Sequence, residues 1–272
     1  MKKVFILPVF FLVFNLYADS GLRIIVEENS TGFTITGSTG KANTLIIPEI
    51  IDGRSVTVIG DNAFINKGLA EVVIPDSVTV IGDGAFSYNR LQTVSIGNNV
   101  TRIGRGAFTS NVLVNVTLGS GLVNIGKGAF SNNMIESIIL PDAVAIIDDY
   151  AFFNNRLRNI DIPASLTTIG EGAFSGNRFT SVVVGTGVIT IRDGAFYNNF
   201  ITSVTIPSSL ESLGKRVFDA RSSDGRIRSS IIFTDTSGNI LYTTANNFDN
   251  YYESNGKMPG RYVLMDGNWS ME

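Results

Sequence analysis

Apolar residues return along this chain in the same order every 22 positions. The best-marked point of the cycle is the phrase Ile81-Gly82-Asp83-Gly84-Ala85-Phe86. Its aromatic recurs at Phe64, Phe86, Phe108, Phe130, Phe152, Phe174, Phe196 and Phe218, and its Ile at Ile59, Ile81, Ile103, Ile125, Ile147, Ile169 and Ile191, with Leu213 closing the series. A fixed period in this range predicts a solenoid, in which each unit buries its apolar face only by stacking on its neighbours. Counted from the Ala of Ala-Phe, apolar side chains fall six, nine and eleven places on, as Leu91, Val94 and Ile96 or Leu157, Ile160 and Ile162. The last two are separated by one residue and are strongly β-branched, which predicts a short strand in every unit. Pro or Gly follows at once (Pro75, Gly97, Gly119, Pro141, Pro163, Gly185, Pro207) and ends it. A fourth apolar column runs Val78, Val100, Leu122, Val144, Leu166, Val188 and Leu210 before the phrase returns. The fold class is therefore mostly β, with parallel strands stacked at about 4.8 Å and joined by short turns or 3-10 segments.

The regular array spans residues 59–218. Residues 19–58 read as an N-terminal cap and irregular first coil, with strands at Ile24-Ile25-Val26 and Phe33 to Thr36, a repeat-like strand at Leu45 to Pro48, and extra residues at 49–55. A cap covers the apolar surface and strand edges of an open solenoid end. After Phe218 the period stops. Residues 219–272 read as a C-terminal module, with a hairpin from Ile231–Thr234 to Ile240–Thr243 and aromatics at Phe248, Tyr251, Tyr252, Tyr262 and Trp269. That module either caps the last coil or offers an aromatic platform to a carbohydrate or a partner.

Residues 1–18 have the form of an export signal: Lys2 and Lys3, an apolar run of 11 residues from Val4 to Phe14, and Ala18 at a cleavage position. The alternative is a retained anchor, although the run is short for a bilayer span. The localisation expected is exported, either cell surface or secreted, or periplasmic.

Composition narrows the chemistry. The chain has 272 residues, 44% of them hydrophobic, and neither Cys nor His. That removes disulfides, thiolate metal sites, the usual general base and the Ser-His-Asp and Cys-His arrangements. The 21 Lys and Arg against 24 Asp and Glu give −3, or 19 against 24 and −5 without the two leader lysines. A mildly acidic surface argues against nucleic acid as the main partner. The Gly-x-Gly pairs lack a Walker sequence. The position between those glycines reads Asp83, Arg105, Lys127, Asp149, Glu171, Asp193 and Lys215, and such mixed signs cannot line a hard-cation site. No cofactor, metal or catalytic residue is expected, and the chain reads as a non-enzyme.

Two columns remain as candidate sites. Asn89, Asn111, Asn133, Asn155, Asn177 and Asn199 repeat at a turn, with Lys67 in the first unit. They form either a structural ladder that satisfies backbone groups or a row of ligand contacts. The outward strand positions include Thr93, Ser95, Asn115, Thr117, Ser137, Ile139, Asn159, Asp161, Ser181 and Val183. This mostly short, polar, uncharged surface is either a solvated sheet face or a binding surface.

The unit Ile-Pro-x-x-Leu-x-x-Ile-Gly-x-x-Ala-Phe-x-x-Asn, read at Ile162 to Asn177, and the strand pattern Leu-x-x-Val-x-Ile resemble the BspA-like bacterial leucine-rich repeats. The resemblance runs from residue 45 to 218 in register. The comparison family usually has one more residue between Phe and the next Leu, and often Cys after Ala-Phe. The resemblance implies a leucine-rich-repeat solenoid in an exported or surface protein that binds a protein or glycan, often as an adhesin. A periplasmic or envelope scaffold is the other reading.

Overall fold

The computed structural model describes residues 21–218, and beyond them the backbone of five strands: Leu12–Asn15, Ile231–Asp235, Ile240–Thr243, Tyr262–Met265 and Asn268–Met271. Phe248, Tyr251 and Tyr252 lie outside the described residues, as do the side chains of Tyr262 and Trp269.

The array is a stack of coils with the predicted period. The corner phrase folds as successive tight turns, closed by i→i+3 bonds such as Ala85 N–H to Gly82 O and Ser87 N–H to Gly84 O. Gly84 takes φ +62°, and the equivalent non-glycine Tyr150 takes +57°. Each corner bonds to the next, for example Phe86 N–H to Ala107 O at 2.7 Å. This register drops every corner Phe onto the one before it. From Phe64 to Phe218 the rings stack with centroids 5.2–5.6 Å apart and planes within 16°. All are buried, and burying each is worth roughly 1.5–3 kcal/mol.

The unbroken ladder is not the one the β-branched columns predict. It runs through two-residue strands at the Ile of the corner phrase: Val80–Ile81, Arg102–Ile103, Asn124–Ile125, Ile146–Ile147, Thr168–Ile169, Thr190–Ile191 and Ser212–Leu213. They pair in parallel, Ile on Ile. The same sheet continues into the N-terminal part through Arg54–Ile59, Phe33–Thr39 and Arg23–Glu28. Ile50–Ile51 folds back on Arg54–Ile59 through Asp52-Gly53, both at positive φ (+47° and +76°), a two-residue hairpin turn that accounts for the extra residues there. Leu12–Asn15, inside the expected leader, pairs antiparallel with Arg23–Glu28. Cleavage after Ala18 would leave that outer edge without a partner.

The opposite face holds the predicted strands, but not in every coil. Thr44–Ile46, Glu71–Ile74, Thr93–Ile96 and Asn115–Thr117 form one parallel sheet. Ser181–Val183, Ser203–Ile206 and Ile231–Asp235 form another, which Ile240–Thr243 extends as the predicted hairpin. Between them, the expected strands at Ile138–Leu140 and Ile160–Ile162 are absent. Neither coil has Val at an inward position (Ile138 and Leu140, Ile160 and Ile162), but neither does the first coil, whose Leu45 and Ile47 accompany the strand Thr44–Ile46, so side-chain identity does not account for the gap. Here the inward columns are also less well covered: Val116, Leu118, Ile160 and Ile162 are only partly buried.

Candidate functional site

The Asn column turns inward. All six side chains are buried, with exposures between 0 and 8%. Asn133 is representative. Its Oδ1 accepts from Leu113 N–H at 3.1 Å, and its Nδ2 donates to Phe108 O at 3.0 Å and Phe130 O at 3.1 Å. Phe108 O also accepts from Asn111, and Phe130 O from Asn155. From Phe86 to Phe174 each Phe carbonyl thus takes one amide from its own coil and one from the next, so both lone pairs are filled. Both donors of the amide are thus spent on main-chain carbonyls and its oxygen on a main-chain N–H. The departure at Lys67 has a physical reason. The coil before it has no corner Phe, and the longer side chain reaches Ser38 O at 2.8 Å instead.

The acids between the glycines also serve the stack. Asp61, Asp83, Asp149 and Asp193 each accept the backbone N–H one coil on, at 2.7–2.9 Å. Asp149 is the most loaded, with Lys127 Nζ at 3.3 Å and Arg192 Nη1 at 3.2 Å. Burial works against its charge, but the bonds from Glu171 N–H, Lys127 and Arg192 outweigh that and hold its carboxyl below the usual aspartate range. Beside it the Tyr150 hydroxyl donates to Glu171, which pushes the phenol up to about 12, with burial adding to the effect. Tyr150 and Tyr197 stand either side of Gly172 around a cleft of about 400 Å³.

The strand face is different in kind. Nine of its ten predicted residues are exposed, and Thr93 is half-buried. Ile139 is 87% and Val183 64% exposed, large values for apolar side chains. Its eight polar side chains (Thr93, Ser95, Asn115, Thr117, Ser137, Asn159, Asp161, Ser181) make no hydrogen bond or ion pair with any other described residue. On the opposite side some short polar groups are occupied, while Asn124, Thr168, Thr190 and Ser212 make no side-chain bond among the described residues. Thr79, Thr101 and Thr167 hydroxyls each bond the carbonyl one coil before, at 3.1–3.2 Å. The ten residues lie along one side of the array, and among the described residues their polar side chains have no partner. The sequence did not show the cleft in the middle of this face. It measures about 640 Å³ and lies between residues 115–118 and 137–142.

Comparison with known proteins agrees with this geometry. The profile described as a BspA type leucine rich repeat region matches in 6 copies, over residues 42–157, 101–226 and 145–250. A leucine-rich cell surface protein from Faecalibacterium prausnitzii superposes with a TM-score of 0.51 at 24% identity, covering 85% of this chain and 61% of its own. A leucine-rich repeat protein from Bacteroides ovatus gives 0.50 at 20% identity, covering 84% and 72%. This chain thus spans less than two thirds of the Faecalibacterium protein. No curated protein sequence matches it.

Proposed function

The chain belongs to the BspA-type leucine-rich repeat proteins, and from that premise we propose that it is an exported recognition protein that binds a protein or glycan through its strand face. One observation carries this reading. The strand face holds a row of exposed short polar side chains, none of them engaged with another described residue, around the bare Ile139 and Val183. Solenoids present such extended surfaces to partners. Short, uncharged groups suit a protein or glycan surface better than a polyanion. The Lys-Lys start and apolar run support export, and the Faecalibacterium relative is described as a cell surface protein.

The test is capture by the full chain from matrix proteins, cells and envelope fractions, compared with Thr117→Lys, Ile139→Lys and Asp161→Lys. Each variant should fold with unchanged circular dichroism, because the three side chains are exposed, and each should lose the captured partner. Capture that survives all three substitutions refutes the strand face as the binding surface. Protease treatment of intact cells then places the protein. A surface binder is shaved, whereas protection points to a periplasmic scaffold.

A further inference from the structure

The corner beside Tyr150 is built differently from the others. The second glycine of the corner phrase forms a column at left-handed φ, with Gly84, Gly106, Gly128, Gly172 and Gly194 between +56° and +62°. Beyond Asn62, which opens the column, two residues break it, and both are large. Tyr150 stands at +57° and Arg216 at +56°, a conformation that strains a bulky side chain. Strain of this kind persists where the surroundings hold it, and it gathers at ligand clamps. The two residues bracket Gly172 and Gly194, which line a cleft of about 400 Å³. The Tyr150 ring leans over Gly172, where an added Cβ would sit 2.5 Å from its Cε1, and its hydroxyl is fixed by donating to Glu171. At the other end the Arg216 guanidinium lies 4.7 Å from the centre of the Tyr197 ring. The cleft thus has an aromatic ring at each end and bare backbone between them.

A hydroxyl in the cleft wall is left over. Ser175 is 6% exposed and lines the cleft, yet its Oγ bonds to no other described residue and is not sealed from solvent. In other coils the same place is engaged. Ser87 Oγ donates to Gly84 O at 3.0 Å, and the Thr109 and Ser131 hydroxyls share a bond of 2.6 Å. One oxygen each of Glu171 and Asp193, and Lys215 Nζ, likewise have no partner among the described residues. We infer that this cleft binds a neutral sugar ring of a glycan. A pyranose offers an apolar C–H face to the tyrosine rings, and hydroxyls at its edge to the carboxylates, the ammonium and Ser175. Apolar walls with a few placed polar groups, at this volume, are what small-ligand sites present. Glu171 and Asp193 balance Lys215 and Arg216, so the lining has no net charge to favour an anion. None of these residues belongs to the strand face. The cleft is a second site, and the inference does not depend on that face being a binding surface.

The experiment mixes the full chain with the methyl glycosides of glucose, galactose, mannose and N-acetylglucosamine at millimolar concentration, with a methyl sialoside and inorganic phosphate as the anionic arms. Saturation-transfer NMR reads the sugars and calorimetry reads every probe. At least one neutral glycoside should bind, with the strongest transfer to the ring C–H protons that stack on the aromatics. Tyr197→Ala should weaken it about tenfold, as the loss of one stacking ring predicts. Tyr150→Gly should weaken it as much and still fold, since it restores the glycine found at Gly84, Gly106 and Gly128. Ser175→Ala should weaken binding several-fold and leave the urea midpoint unchanged, whereas Ser87→Ala, which loses a bond, should lower the midpoint. No binding of any neutral glycoside overturns the inference, as does binding of the sialoside or phosphate alone. Binding that survives both tyrosine substitutions places the sugar elsewhere and overturns it too. So does an equal loss of stability in the two serine variants, because the Ser175 hydroxyl would then have a partner within the fold.

Discussion

Asn133→Ala tests what holds one coil on the next. The side chain is 8% exposed and makes three bonds of 3.0–3.1 Å, one within its own coil and two to the coil before. Phe108 O and Phe130 O each keep a second amide, from Asn111 and Asn155, so the truncation orphans chiefly the Leu113 N–H. Three bonds at about 1 kcal/mol each, with an unpaired buried donor added, predict a loss of about 3–5 kcal/mol. Asn133→Asp sharpens the test. The new carboxylate can still accept from Leu113 N–H, but it faces two carbonyl oxygens to which it cannot donate. At neutral pH the Asp variant should therefore be no more stable than the Ala variant. Its folded pKa is raised, so its deficit is full above that value and shrinks as the pH falls and the protonated carboxyl regains one bond. Urea unfolding by far-ultraviolet circular dichroism gives the loss. Hydrogen exchange at the Leu113 amide reports it locally, which matters because a repeat array need not unfold in one step. An Ala variant within about 1 kcal/mol of the parent, or an Asp variant insensitive to pH, would refute the ladder as a stabilising element.

Two glycines of one phrase should fail for different reasons. At Gly128, with φ +62° and the nearest atom 3.5 Å from a built Cβ, Ala should cost about 1–2 kcal/mol in urea unfolding through backbone conformation alone. At Gly104 a Cβ would sit 2.6 Å from the Gly82 carbonyl carbon, so Gly104→Ala should cost more, and equal losses would contradict the close stacking. Asp149→Asn should lower stability at neutral pH. The lowered folded pKa of Asp149 means its contribution is present above the ordinary value near 3.9 and disappears as pH falls through the lower one, so urea midpoints of parent and variant should converge in strong acid.

Much of this architecture is legible in the chain because burial dictates side-chain identity. The Phe stack admits one shape, and Asn133 is held to Asn by two acceptors and a donor at fixed places, so both columns repeat in the sequence. The Ile column at Ile81 and its copies also repeats, but nothing in the sequence marks it as a strand ladder. Two residues are too few for an alternation, and main-chain hydrogen bonds are indifferent to the side chains that accompany them. The opening at 137–140 was hidden for the opposite reason. Ile138 and Leu140 keep the strand pattern and stay inside, yet the strand itself does not form. The strand face could be drawn from spacing, since its residues share a phase. That its polar groups bond to no other described residue could be learned only from the structure.

The Asn bonds have a consequence for how such a molecule changes length. They connect residues 20 and 25 positions apart, the corner of one coil and the turn of the next. Nothing in the ladder senses how many coils lie beyond its neighbours. A gene that gains or loses 22 codons as a block therefore keeps every corner in register and lengthens or shortens the recognition face by one row, about 4.8 Å. A gain of one codon moves an amide off its carbonyls and breaks the column at that point. The array is in this sense a ruler graduated in whole coils, on which recombination can extend the surface while single-residue slips are penalised at once.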